Sequence, residues 1–168
     1  TAGPLGGYEY YAKSASALIA DVKATSPEPG KVDVRVLLVG GALPEKEMLD
    51  TVAGILSADN VRPLTDYVTV QAPETVEYDI DVTYYTQEGG ALSDEVISEN
   101  VAAAVQKFKT WQAERMGRDV NPSYLIQLLM EAGVKRVEVR SPAFTTVADN
   151  AVAQIGETSI VNGGAESE

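Results

Sequence analysis

Val61-Arg62-Pro63-Leu64-Thr65-Asp66-Tyr67-Val68-Thr69-Val70-Gln71 runs into Ala72-Pro73-Glu74-Thr75-Val76-Glu77-Tyr78-Asp79-Ile80-Asp81-Val82-Thr83-Tyr84-Tyr85-Thr86. In the second part Val76, Tyr78, Ile80 and Val82 alternate with Glu77, Asp79 and Asp81. Successive side chains of an extended chain point to opposite faces, so this period of two predicts a strand with one buried and one wet face. A shorter alternating run precedes it, and Ala72-Pro73-Glu74 separates the two. A helical pattern ends just before the stretch, near Asn60. Before the break the chain reads as strand-turn-strand-helix, and after it as strand-helix-helix-strand. The expectation is an α+β fold of two small half-domains, each with helices packed on a small mixed sheet. Residues 1–71 form the first, 72–145 the second, and 146–168 a tail with an edge hairpin.

Towards the amino terminus, Pro4 suits the first turn of a helix, and Tyr8, Tyr11, Ala12 and Ala15 recur at helical spacing, predicting a helix over 5–16. The tyrosines Tyr8, Tyr10 and Tyr11 are expected to pack on the core with their hydroxyls in water; a contact surface is the alternative. Strands are predicted over 18–26 and 31–39, joined by the turn Ser26-Pro27-Glu28-Pro29-Gly30. Gly40-Gly41 opens a loop that lacks the spacing of a phosphate-binding motif, and Glu45 and Glu47 put negative charge where a phosphate would sit. Those glutamates instead complement the dipole of a helix starting at Pro44, with Met48, Leu49, Val52, Ile55 and Leu56 on its apolar stripe.

Towards the carboxyl terminus, Ser93 is an N-cap for a long helix over 92–116, stopped by Gly117. Its stripe is Ile97, Val101, Ala104, Val105, Phe108 and Trp111, with Trp111 read as a buried anchor. Asn121-Pro122 caps a further helix to about 132, and Val134 to Arg140 is a strand with Val137 and Val139 inward. Val147 to Gly156 and Thr158 to Val161 are read as the hairpin, with Val152 and Ile155 on its apolar alternation. Asn162 to Glu168 is read as a frayed end.

Composition removes whole classes of chemistry. The 168 residues carry 25 acidic and 13 basic side chains, a formal charge of −12. So negative a surface repels phosphate backbones and anionic lipids, which makes nucleic acid and membranes poor partners and basic protein faces good ones. There is no cysteine and no histidine, so thiolate chemistry, disulfides and the usual neutral-pH base are absent. No run approaches the roughly 18 apolar residues of a membrane span. Thr1 stands where a start methionine would, and the expectation is a piece of a longer polypeptide.

Catalysis would have to rest on carboxylates. Glu77, Asp79 and Asp81 lie about 7 Å apart at alternate strand positions. That spacing could suit a hard cation or a glycosidase pair, but such a row is usually a solvated face or one that meets a basic partner. Neither a catalytic, a cofactor nor a metal site is assigned. Arg62, Pro63, Thr65 and Asp66 are read as a structural turn, with Pro63 fixing φ, the Asp66 carboxylate bonding the turn backbone and Arg62 as its charge partner. The candidate interaction surface comprises Tyr8, Tyr10, Glu77, Asp79, Asp81, Val152 and Ile155.

The central stretch Val61-Arg62-Pro63-Leu64-Thr65-Asp66-x-Val68-x-Val70 resembles a signature of the baseplate J-like family of contractile-tailed phages. The likeness extends in order through Ala2-Gly3-Pro4 with Tyr8 and Tyr10, Val22-Lys23 to Gly30, Gly117 to Ser123, and Ala132 to Val137. It implies the carboxyl-terminal part of a wedge protein, lacking the amino-terminal part of the family pattern. On the resemblance, such proteins pair around a smaller wedge subunit and close into a ring about the central spike, without known catalysis. The implied partners are other baseplate wedge proteins and further copies of this chain. The implied location is the virion tail baseplate, with host cytoplasm during assembly. Two alternatives stand beside it: a carboxylate-based, tail-associated glycan hydrolase at Glu77, Asp79 and Asp81, and a carbohydrate-binding module using Tyr84, Tyr85 and Trp111.

Overall fold

A computed structural model describes residues 4–58, 61–63 and 65–168. The predicted helix end at Asn60, Leu64 of the central motif and the opening Ala2-Gly3 lie outside the described residues. Among the described residues, four α-helices and two three-stranded mixed sheets make an α+β fold, and the chain divides into two compact units. The first unit holds 1–75 together with 114–117 and 148–152; the second holds the remainder.

In the first unit, helix α1 (Pro4–Ser14) precedes strands β1 (Ile19–Glu28) and β2 (Lys31–Leu38). These pair antiparallel across Pro29-Gly30, where Gly30 takes φ 77°, a left-handed turn position that glycine fills without strain. Helix α2 (Lys46–Leu56) then carries the chain to β3 (Tyr67–Gln71), which pairs parallel with β2. Parallel neighbours require such a crossover. The predicted start of α2 at Pro44 moves to Lys46, because Glu45 is its extended N-cap. The core gathers Tyr8, Ala12, Ile19, Val22, Ala24, Val32, Val34, Val36, Val52 and Leu56, the inward alternates of the strands and one stripe from each helix.

One residue breaks the alternation of β2. Leu37 is fully buried beside the equally buried Val36, and therefore on the opposite face of the sheet. There it packs with Met116 and Val152, two residues that the chain returns to this unit from far along the sequence. Asp21, opposite Leu37 in the strand register, accepts the backbone N–H of Met116 at 2.8 Å. That return ends the long helix early: it spans Asp94–Ala113 rather than reaching 116.

In the second unit the long strand β4 (Glu74–Gln87) shows the alternation read from sequence, with Tyr78, Ile80, Val82, Tyr84 and Thr86 buried. Helix α3 (Asp94–Ala113) opens on Ser93, whose hydroxyl accepts the N–H of Val96 at 3.3 Å. Helix α4 (Pro122–Glu131) opens on Asn121, whose side chain accepts the N–H of Ser123 at 3.1 Å. Strand β5 (Arg136–Ser141) pairs antiparallel with β4 on one side. Strand β6 (Ala151–Glu166) lies on the other, giving the order β5-β4-β6.

Strand β6 replaces the predicted edge hairpin and frayed end. Gly156 sits beside Glu77 and Asp79, Gly163 beside Thr83 and Tyr85, and the N–H of Glu88 meets the carbonyl of Glu166 at 2.9 Å, so β6 advances in step with β4. Gly163 is no turn residue here. A Cβ on it would overlap Cε1 of Tyr85, so a side chain is excluded by close approach.

Candidate functional site

The central motif builds a tight turn: the N–H of Asp66 donates to the carbonyl of Pro63 at 3.1 Å, with Thr65 exposed between them. Among the described residues the Asp66 carboxylate makes no bond to this backbone. It accepts the Tyr8 hydroxyl at 2.7 Å, across 58 residues of sequence, and so ties α1 to the entry of β3. Arg62 donates from Nη1 to the Asp66 carbonyl at 3.1 Å, a contact to the backbone rather than to the carboxylate. The expectation of a backbone bond from the Asp66 carboxylate, with Arg62 as its charge partner, named neither of these bonds, because nothing local shows that Tyr8 comes within reach. Burial and the Asp66 hydrogen bond push the Tyr8 hydroxyl up to about 12.

Tyr8 is 2% exposed and Val152 fully buried, so neither belongs to an interaction surface: their side chains are committed to the core. The expected wet hydroxyl of Tyr8 is likewise a bonded one. Tyr10, by contrast, is 70% exposed, edge-on to the half-open Tyr11 with ring centres 5.3 Å apart. Ile155 is half-buried.

The three acids of β4 do not share one environment. Arg140 on β5 grips Asp81 with two hydrogen bonds of 2.8 and 3.0 Å and also reaches the Thr83 hydroxyl at 2.9 Å. Its guanidinium holds the Asp81 carboxyl below the usual carboxylate range. Asp79 accepts the backbone N–H of Glu157 on β6 at 2.8 Å. Glu77 lies exposed near Gly156. A glycosidase pair needs one carboxyl held protonated by an apolar surround. Here one acid is gripped by arginine and a second fastens a strand. Among the described residues no group of acids is arranged to hold a metal ion.

The end of β6 is clasped by chemistry that the sequence did not announce. Arg136 reaches Glu166 with bonds of 2.7 and 2.8 Å, and Glu138 at 2.9 Å, while its guanidinium lies 3.8 Å from the ring centre of Tyr85. Arg136 thereby holds Glu166 below the ordinary carboxylate range, and Lys135 adds its charge to the same group. Tyr85 is thus covered by a cation on one side and by Gly163 beneath, and Tyr84 is buried. Neither forms an open platform for a sugar.

Trp111 is half-buried rather than a core anchor. Arg118 covers its ring at 4.3 Å, and Tyr124 leans against it, ring centres 4.4 Å apart and planes tilted by 51°. The fully buried position on that turn of α3 belongs to Gln112, a polar residue outside the expected apolar stripe. Its amide donates to the carbonyls of Arg118 and Asp119 at 3.0 and 2.9 Å and accepts the N–H of Asn121 at 3.4 Å. Every polar atom of that buried amide is used, which is what burial of an amide demands. The signal was faint: a lone glutamine just before a loop of carbonyls that must turn inward.

The arrangement is one of ties between elements rather than of groups converging on a reactant. Among the described residues no helix is long and apolar enough to cross a membrane. Two family profiles match the chain in succession: the baseplate J-like central domain over residues 1–72 and the baseplate J-like protein C-terminal domain over residues 78–161. Baseplate protein J of Escherichia phage P2 is 35% identical over 170 residues, which cover 98% of this chain and 54% of that protein. A chain in the cryo-EM structure of the anti-feeding prophage (AFP) baseplate, 6-fold symmetrised, shares the fold with a TM-score of 0.65 at 15% identity. That match covers 88% of this chain and 36% of the other. The chain therefore spans about half the length of the curated relative it matches, and less of the solved one.

Proposed function

The chain belongs to the baseplate J-like family, and from that premise we propose that it is a structural component of a contractile phage tail baseplate, acting through protein–protein interfaces. The observation that carries this reading is the succession of central and C-terminal family domains along nearly the whole chain, in the order found in the family. The proposed division is a first half-domain over 1–71, a second over 72–145, and a tail over 146–168. The partners are other baseplate proteins and further copies of this chain, in a ring around the tail spike. The place of action is the virion tail baseplate, reached by assembly in the host cytoplasm.

The internal ties favour this over catalysis. Bidentate arginine–carboxylate pairs and a buried glutamine fix elements against each other, as a load-transmitting part requires, and Asp79 and Asp81 of β4 are already engaged. Charge shapes the association. Copies each carrying −12 repel, and salt near physiological strength screens that repulsion over about 8 Å. Sedimentation velocity, alone and mixed with the other baseplate proteins, tests the reading at low and high salt. Self-association should rise with salt while binding to a basic baseplate partner falls. A chain that stays monomeric throughout and binds no baseplate protein would remove the proposal. For the enzyme alternative, the purified chain is assayed on peptidoglycan and polysaccharide beside the Glu77→Gln, Asp79→Asn, Asp81→Asn triple variant. Turnover present in the parent and lost in the variant would show that a catalytic site exists after all.

A further inference from the structure

Strands at sheet edges expose unpaired N–H and C=O groups, and proteins guard such edges with charge, proline or brevity. The other edge strands of this chain are guarded. Strand β1 carries Asp21, Lys23, Pro27 and Glu28; β3 is five residues long with Pro73 just beyond; β5 carries Arg136, Glu138 and Arg140. The outer strand β6 differs. From Thr158 to Ala165 it has no charge and no proline, and these residues are exposed apart from the half-buried Ile160.

The ends of this uncharged run differ in charge. Beyond Ala165, Glu166 is already neutralised by Arg136 and Lys135. Before Thr158 stand Glu157 and, close to Gly156, the carboxylates of Glu77 and Asp79. Among the described residues no cation pairs with those three. A strand laid along β6 would therefore meet neutral side chains for most of its length and a negative cluster at one end.

We propose that the outer edge of β6, over Thr158–Ala165, is a docking site for an extended segment of another polypeptide. That segment is uncharged along its middle and basic at the end that meets Glu157. Backbone hydrogen bonds would supply affinity, and the carboxylates would choose the partner and its register. A second copy of this chain fits less well, since it brings the same carboxylates to the same edge. The inference rests on the assembly reading for the source of that segment, another protein of the baseplate.

The test titrates the 15N-labelled chain with a synthetic peptide of alternating valine and threonine carrying two lysines at each end, so that either strand direction brings a cation to Glu157. A matched peptide ends in glutamates. Amides of 158–165 should shift and gain exchange protection, and the lysine peptide should bind roughly tenfold tighter at low salt, an advantage that high salt removes. Glu157→Gln, which leaves β6 folded, should shrink that advantage, and Val161→Pro should abolish binding of both peptides. Shifts elsewhere, equal affinity for the two peptides, or no binding at millimolar concentration would overturn the site. Concentration-dependent protection of 158–165 without peptide would overturn the choice of occupant in favour of a second copy. If the parent, Glu157→Gln and Val161→Pro chains capture baseplate proteins equally well, the edge site falls and the assembly reading stands. If the peptide binds as expected but no baseplate protein is captured, the edge site stands and the assembly reading falls.

Discussion

Tyr8 and Asp66 show how much a single hydroxyl can hold. The ring of Tyr8 is buried in the core of the first unit, and its hydroxyl is bonded to Asp66. Removing the acceptor leaves a buried donor unsatisfied, at a cost of about 1–3 kcal/mol. In a chain of this size Asp66→Ala should lower the melting temperature by several degrees, read by differential scanning calorimetry; an unchanged value would mean that the turn is held by other contacts. The same hydroxyl makes an alkaline signature. Its pKa is raised to about 12 from 10, as is that of Tyr78, whose buried hydroxyl lacks a partner among the described residues. The folded state thus holds both protons more tightly than the unfolded chain does. Their contribution to stability is complete below pH 10 and lost as pH rises towards 12. Urea melts between pH 9 and pH 12 should show that loss in the parent chain, reduced in Tyr8→Phe and again in Tyr8→Phe with Tyr78→Phe. A parent whose stability is flat across that range would contradict the assignment.

Among the elements, β6 is the one whose shape depends on glycine. Gly163→Val would press a branched side chain into Tyr85, which Arg136 already covers on the other side. The ring cannot retreat without breaking the clasp on Glu166, and overpacking of this kind costs about 1–3 kcal/mol. Exchange protection should fall first along β6, with β4 and β5 losing theirs at higher denaturant; uniform protection would mean that the ring moves freely. This strand also marks where sequence reading stopped. The alternation of β4 was legible because burial on one face of a strand leaves a period of two in the residues themselves. The caps Ser93 and Asn121 were legible because their bonds close within three residues. In β6, Gly156, Asn162, Gly163 and Gly164 carry the local signature of turns and frayed ends. Their true constraint, the approach of β4, lies about 78 residues away by the pairing of Glu88 with Glu166. Leu37 and Gln112 were missed for the same reason, since each is buried by a segment distant in sequence or by carbonyls that local periodicity does not reveal.

At the scale of the whole molecule, the two compact units are threaded through each other along the sequence. The first needs 114–117 and 148–152 to cover Leu37, so a fragment ending at residue 75 lacks Met116 and Val152. Exposing a leucine that is fully buried forfeits about 1.5–3 kcal/mol. The 1–75 fragment should melt well below the parent and bind a hydrophobic dye, whereas a fragment as stable as the parent would show that the returning segments are dispensable. A part stabilised this way, strongly acidic and with Asp79 and Asp81 of β4 tied into the fold, fits the proposed role of being gripped by neighbours. The most direct measurement of that claim is a cryo-EM map of the contractile tail assembled in cells that encode this chain. The account predicts density for both half-domains in the baseplate, with a neighbouring polypeptide against this chain's surface. A baseplate map complete without this fold would contradict it.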